Sequence, residues 1–318
     1  MKVSKLGERK LIERISKKIS LFSKDVVKGI GDDCAVIKFD KKKYMLLTTD
    51  TLVEKVHFKF EWFKPEQLGK LAVESNVSDI AAMGGFPKYM LVSLNLPKKI
   101  SVKFVDRLYD GINKASKKYK VDIIGGNLAS SEEMSITITL IGFVEKKMLC
   151  LRGNARVGDL ICITGKIGRT TAALGLLKSN IKGKSTKYFL NSKARLDAAR
   201  KLSAIGVNAM QDNSDGLTSE VRHICEESKT GAVIDKSKLL ISKEVVQDMK
   251  KLGFGREYYN SMGDYLELVF TIPKKKISLL NKIDHRVIGK IVDKKKGIYL
   301  LDGKKKYKLS SGYEHFRK

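Results

Sequence analysis

Gly29-Ile30-Gly31-Asp32-Asp33 sets two adjacent carboxylates in a glycine turn, and Thr48-Thr49-Asp50 adds a third at the end of the following apolar run. The chain carries 63 Lys+Arg against 35 Asp+Glu, so acids gathered this way stand out from its general charge. Oxygen donors brought together by a tightly bent backbone are what a hard divalent cation takes. Two further acidic stations follow. Asp79 ends the polar interruption Asn76, Ser78, Asp79 within an otherwise apolar helical stretch, and Asp212 stands three residues before Asp215 in Asp212-Asn213-Ser214-Asp215-Gly216. An acid near a helix C-terminus opposes the helix dipole and calls for a compensating cation. The competing reading is local: Asp32 and Asp33 satisfy amides of their own turn, and Asp215 caps a helix. Capping accounts for Asp215 and leaves Asp212 unexplained.

The elements that must position these acids are legible from periodicity and punctuation. A charged helix with Leu6, Leu11, Ile12, Ile15 and Ile19 at helical spacing opens the chain over residues 1–20. Strands over 34–39 and 44–49 flank the turn Asp40-Lys41-Lys42-Lys43 as a hairpin, which brings Asp33 and Asp50 to one end. A helix starts at Pro65, buries a stripe of Leu68, Leu71, Ala72, Ile80 and Ala81, and stops at Gly84-Gly85. A strand over 89–96, a helix over 102–118, a short buried strand over 121–124 ending in Gly125-Gly126-Asn127 and a strand over 134–143 complete the first half. The pattern resets through a charged loop at 146–153, dividing the chain into domains 1–148 and 149–318. In the second half, strands over 159–164, 232–235, 286–292 and 298–301, with one ending at Ile272, alternate with helices after Gly168, over 217–228 and over 242–252. Strands interleaved with helices make the class α/β, or mixed α+β.

Length and 42% hydrophobic content suit a globular protein with a sizeable core. Cys34, Cys150, Cys162 and Cys225 are far apart, with no paired spacing and no histidine cluster, so neither a disulfide framework nor a zinc site is expected. No apolar run reaches the roughly 18 to 20 residues of a membrane span. The expected protein is soluble and cytoplasmic. Its net charge of +28 invites a nucleic-acid reading, but the lysine triplets at 41–43, 274–276, 294–296 and 304–306 are scattered through apparent turns without interleaved aromatics. Gly165-Lys166-Ile167-Gly168 and Gly183-Lys184-Ser185 fall short of the glycine-rich phosphate loop, so any nucleotide would be held without that cradle.

Taken in order, GIGDDCAV (29–36), TTDTLVEKVHF (48–58), NVSDIAAMGGFP (76–87), GGN (125–127), RGNARVGD (152–159), DNSDGL (212–217) and GYEHF (312–316) make the chain similar to the thiamine-monophosphate kinase family along nearly its whole length. The resemblance implies two domains: an N-terminal sheet with helices, closing a barrel with a second copy in a homodimer, and a sandwich-like C-terminal α/β domain beside an ATP cleft. It also implies transfer of the γ-phosphoryl of ATP to thiamine monophosphate, with several Mg²⁺ ions. It makes Asp33, Thr48, Thr49, Asp50, Asp79, Asn127, Asp212 and Asp215 metal ligands, with Asp32 beside them. Gly126, Arg152 and Ser214 would meet ATP, and His57, Asp264 and Tyr313 the acceptor. No catalytic base is implied.

The chain departs from the family in two places. Asn127 stands where the family has a charged aspartate, and SMGDYLEL (261–268) replaces SGGEDYEL, putting Asp264 in the place of a glutamate and Tyr265 in that of an aspartate. The alternatives are another ATP-using enzyme of the same superfamily, or a degenerate member acting as a basic nucleic-acid-binding protein.

Overall fold

The computed structural model of the chain describes residues 2–253, 263–309 and 316. Its elements are α1 (Val3–Leu6), α2 (Glu8–Ser16), β1 (Val26–Lys28), β2 (Ala35–Lys38), β3 (Lys43–Val53), α3 (Pro65–Ala82), β4 (Phe86–Leu96), α4 (Val102–Tyr119), β5 (Asp122–Ser130) and β6 (Ser135–Glu145). They continue as β7 (Leu160–Thr164), α5 (Arg169–Lys178), α6 (Thr186–Leu190), α7 (Leu196–Ile205), β8 (Ala209–Asn213), α8 (Leu217–Glu227) and β9 (Gly231–Asp235). The last are α9 (Lys243–Lys251), β10 (Glu267–Ile272), β11 (His285–Val292), β12 (Ile298–Asp302) and β13 (Lys305–Lys308).

These strands form two sheets, ordered β1-β2-β3-β6-β4-β5 and β13-β12-β9-β11-β7-β10-β8. In the first, only the β4–β5 pair is parallel; in the second, only β9–β12. The mixed α/β class with two domains therefore holds, with sheets that are mostly antiparallel. The first sheet is open within the chain, with β1 and β5 as its edges.

Helix α3 joins the two halves. It begins as the sequence requires, with Pro65 in the first turn and Gln67 Oε1 accepting the Lys64 N–H at 3.1 Å. It packs on β3, β6 and β4 of the first sheet, on α4 and α7, and on β8 of the second sheet. The expected single buried stripe is thus too narrow: Glu74, Ser75, Asn76 and Ser78 are at most 1% exposed. Partners on several sides bury its polar residues as well as its apolar ones. Helices α3 and α4 meet backbone to backbone, since a Cβ on Gly111 would stand 2.0 Å from Glu66 O and one on Gly69 2.1 Å from Leu108 O.

Other expectations change. The single N-terminal helix is broken at Gly7, whose φ of 79° ends α1 before α2 begins. Strand β3 runs on to Val53, so Asp50 lies inside a strand, opposite Ile138 of β6, not beyond its end. The expected short buried strand with a terminal glycine turn is instead the exposed nine-residue edge strand β5. Parallel pairing with β4 carries the chain straight through Gly125-Gly126-Asn127, and a Cβ at Gly126 would lie 1.8 Å from Val92 O. Glycine there serves close approach of two strands. Strands β1, β8 and β13 and helices α6 and α7 carry no pattern that the sequence reading caught.

Gly111→Ala tests the helix contact. The methyl group must push two backbones apart, a cost of about 2 to 3 kcal/mol, which urea denaturation of the variant against the parent chain would measure.

Candidate metal centre

Four segments converge at the C-terminal half of α3. The turn before β2 brings Asp32 and Asp33, β3 brings Thr48 and Asp50, α3 itself brings Asp79, and the end of β8 brings Asp212. Carboxylate oxygens of Asp33, Asp79 and Asp212 all lie within 4.8 Å of one another. Hairpin pairing explains the first two segments, because Ala35 faces Leu47 and the turn preceding β2 therefore runs alongside the later part of β3. The second sheet joins through α3: Ser78 Oγ donates to Asp212 Oδ2 at 2.7 Å, and Thr48 Oγ1 donates to Asp79 Oδ2. Asn76 Oδ1 accepts the Asp50 N–H at 3.1 Å, fixing the strand against the helix.

Like charges crowd this pocket. Burial, then Asp50, Asp212 and Asp33, push Asp79 well above the ordinary carboxylate range; burial, then Asp33 and Glu220, do the same to Asp212. Burial also raises Asp33 against the opposing pull of Arg152. Asp50 is open to solvent yet closely surrounded, and enclosure followed by the charge of Asp33 raises it too. Asp32 and Asp215 are each pushed up to about 7, chiefly by burial. Helix α3 offers no basic residue in its last turn to offset this charge. Asp33 Oδ2 is buried without a hydrogen-bond partner among the described residues. An all-oxygen donor set with an orphaned carboxylate oxygen suits a hard divalent cation such as Mg²⁺.

Arg152 closes one side. Its Nη2 donates to Asp33 Oδ1, its N–H donates to Asp32 Oδ2 at 3.2 Å, and its Nε lies 3.7 Å from Asp32 Oδ1. Asp215 is not the helix cap that the competing reading supposed. The N-cap of α8 is Gly216, which makes no side-chain cap bond, while Glu220 Oε1 accepts the N–H groups of Ser214 (3.3 Å) and Asp215 (2.8 Å).

The remaining sequence-derived residues are placed as follows. Thr49 is on the exposed face of β3, its hydroxyl 3.2 Å from that of Thr139. Gly126 and Asn127 are exposed on the edge strand β5, with Asn127 in register with Ser93. His57 follows β3 in a turn where its Nδ1 accepts the Val53 N–H at 3.0 Å. Ser214 is exposed at the mouth of the β8–α8 loop. Asp264 is 3% exposed and bound by Arg169 Nε and by Thr170 Oγ1 at 3.0 Å. Tyr313 lies outside the described residues.

Sequence reasoning missed a second ionic group beside Asp264. Arg169 Nη2 donates to Glu267 Oε1 at 2.7 Å, and Arg195 Nε donates to Glu267 Oε2 at 2.8 Å. Tyr265 OH lies 2.8 Å from Ser75 Oγ on α3, which ties this group to the same helix. Nothing in residue spacing could pair Arg195 with Glu267. The polar interruption of α3, in contrast, did point to Asn76 and Ser78.

With this geometry in place, the similarities can be weighed. Residues 31–144 match the family model for the AIR synthase related protein, N-terminal domain, and residues 156–301 that for its C-terminal domain. The chain is similar to the thiamine-monophosphate kinase of Buchnera aphidicola subsp. Acyrthosiphon pisum (36% identity, 98% of this chain and 99% of the relative). It is also similar to that of Aquifex aeolicus (35% identity, 99% and 100%). Among solved structures it resembles AaThiL complexed with AMPPCP and TMP, at 34% identity, 99% coverage of each chain and a TM-score of 0.86.

The raised carboxylates predict how the metal-free protein responds to pH. Their folded-state pKa values exceed the unfolded value of about 3.9, so the folded form holds more protons and loses stability as pH rises through that window toward about 7, the value for Asp32 and Asp215. Melting in chelator should therefore fall from pH 5 to pH 8, and millimolar Mg²⁺ should recover most of the loss at pH 8, as differential scanning fluorimetry would record.

Proposed function

We propose a reaction for a chain that belongs to the AIR synthase related proteins and, among them, to the thiamine-monophosphate kinases: transfer of the γ-phosphoryl of ATP to the phosphate of thiamine monophosphate, giving thiamine diphosphate and ADP. The observation that carries the proposal is the convergence of Asp33, Asp79 and Asp212 from three separate segments, with oxygens within 4.8 Å.

Two anions must meet before this reaction can proceed, and their repulsion is its main obstacle. Asp33, Thr48, Thr49, Asp50, Asp79, Asp212 and Asp215, with the amide oxygen of Asn127, would hold Mg²⁺ ions. When bound, those ions neutralise and align the phosphate oxygens. Arg152 is pinned at the rim by Asp32 and Asp33, and with Gly126 and Ser214 it would meet ATP. Ser78 and Asn76 keep Asp212 and β3 in place, so the donor set is held by buried α3 rather than by loops. The acceptor phosphate has a second pKa near 6, so it arrives largely as a dianion. No side chain has to remove a proton from it.

His57, Asp264 and Tyr313 are assigned to the acceptor. The Asp264 carboxyl is turned to Arg169 and Thr170, which supports an indirect part: it shapes the loop that carries Tyr265. Domain limits of 1–148 and 149–318 are supported by the stretch between β6, which ends at Glu145, and β7, which starts at Leu160. A homodimer is supported by the open edge β5, where Ile124 and Leu128 are 56% and 69% exposed, since an unpaired apolar edge seeks a partner. In the proposed dimer, the first sheets of two copies close a barrel. No helix among the described residues is long and apolar enough to cross a membrane, and all four cysteines are free and buried, in keeping with a cytoplasmic enzyme. Two of the four lysine triplets lie in short 3-10 turns, Lys274–Leu280 and Lys294–Lys296, which favours solvated turns over a built nucleic-acid surface.

Purified protein with ATP, Mg²⁺ and thiamine monophosphate should give thiamine diphosphate, resolved by chromatography. Asp50→Ala or Asp212→Asn should lower kcat by at least about a hundredfold, the usual loss when preorganised charge stabilisation is removed. Parent enzyme that makes no more product than Asp50→Ala overturns the assignment. His57→Ala should raise KM for thiamine monophosphate about tenfold and leave KM for ATP unchanged, as expected when a binding contact to one substrate is lost.

A further inference from the structure

The β8–α8 loop, 214–216, has two amides to satisfy between Asp212 at the end of β8 and Asp215, and Glu220 satisfies them without using either aspartate. It is 2% exposed, in the first turn of α8. Its Oε1 accepts from Ser214 N–H and Asp215 N–H, and its Oε2 accepts from Gln211 Nε2 on β8. One buried carboxylate thereby ties the strand before the loop to the helix after it. These two amides precede the N-cap Gly216, and a glutamate in the first turn that reaches back to them acts as in a capping box. The Asp215 carboxyl takes no part in these bonds.

We infer that Glu220 is a positioning residue for the metal centre: it fixes the loop that carries Asp215 against the strand that carries Asp212, and adds a negative charge beside the cation site without ligating a cation. Glu220 is not among the carboxylates whose oxygens cluster with Asp33, Asp79 and Asp212, so it acts through its neighbours. The inference rests on the kinase reading for its effect on turnover, but its effect on cation affinity can be measured without turnover.

Glu220→Gln separates charge from shape. The new amide oxygen can still accept from the loop, and the Oε1 of Gln211, now buried without a partner among the described residues, can turn to accept from the new NH₂ group. This variant should fold with a melting temperature close to that of the parent in chelator. The Mg²⁺ concentration at the midpoint of the cation-induced rise in melting temperature should increase about tenfold, the effect of one charge at short range in a partly screened site. In the kinase assay, half-maximal activation should need correspondingly more Mg²⁺, with kcat at saturating Mg²⁺ within about threefold of the parent. Glu220→Ala should lose the loop bonds too, so that kcat falls as well, and Glu220→Asp should restore part of the Mg²⁺ affinity. An unchanged Mg²⁺ midpoint in Glu220→Gln overturns the inference, as does an equal fall of melting temperature and kcat in all three variants. If the parent enzyme makes no thiamine diphosphate, the kinase reading fails, and the Mg²⁺ midpoint still decides the role of Glu220.

Discussion

Burying several carboxylates side by side is the constraint on which the rest of this structure depends. Carboxylates a few ångströms apart repel strongly once water is removed, and folding alone gives no reason to bring Asp33, Asp79 and Asp212 together from three distant parts of the chain. The arrangement is tolerable in two ways. The acids can take up protons, as their upward shifts indicate, or a divalent cation can supply the missing charge. The proposed reaction at neutral pH uses the second.

Holding such a cluster demands a stiff frame, and α3 provides it. The helix is enclosed by strands, by α4 and α7 and, through β8, by the second sheet, so its polar residues cannot move aside to relieve the repulsion. Its serines and asparagine hold the acids by their other atoms: Ser78 on Asp212, Asn76 on the backbone of Asp50. The contact between Ser75 and Tyr265 extends the same frame toward the Asp264 group. The candidate metal centre and the proposed acceptor side thus share one rigid element, which suits a reaction whose difficulty is alignment.

Much of this was legible in sequence. Glycine and proline punctuation marked α3 and the β2–β3 hairpin, and unusual acid spacing marked Asp33, Asp50, Asp79 and Asp212 before any fold was known. The failures have physical causes. Strand β8, with its run Ala209-Met210-Gln211-Asp212-Asn213, is buried throughout, and such a strand lacks the alternation that reveals one half-buried. Gly125-Gly126 reads as a turn by composition, yet it serves a parallel strand pair that no local rule foresees. Glu220 carries no signal in sequence, because its role depends on a loop folding back over the helix start. The pairing of Glu267 with Arg169 and Arg195 joins residues 98 and 72 positions apart, beyond the reach of spacing arguments.

The contrast between buried acids with partners and those without separates structure from chemistry. Glu74 is fully buried and meets Lys118 Nζ at 3.0 Å and the Ala194 N–H at 2.8 Å. Glu267 has two guanidinium groups, and Asp159 has the side-chain amide of Asn208 and the N–H of Arg156. Each of these is neutralised or hydrogen-bonded within the fold, as burial of a carboxylate requires. In a chain with a net charge of +28, cations are abundant, so the shortage of them around Asp79 and Asp212 reflects placement and not supply. Arg152 is set against Asp32 and Asp33 at one side, and among the described residues the carboxylates of Asp79 and Asp212 receive only hydroxyl donors. Hydroxyl groups orient a carboxylate without cancelling its charge. A pocket built that way leaves its charge to be met by protons or by a cation that arrives from solution.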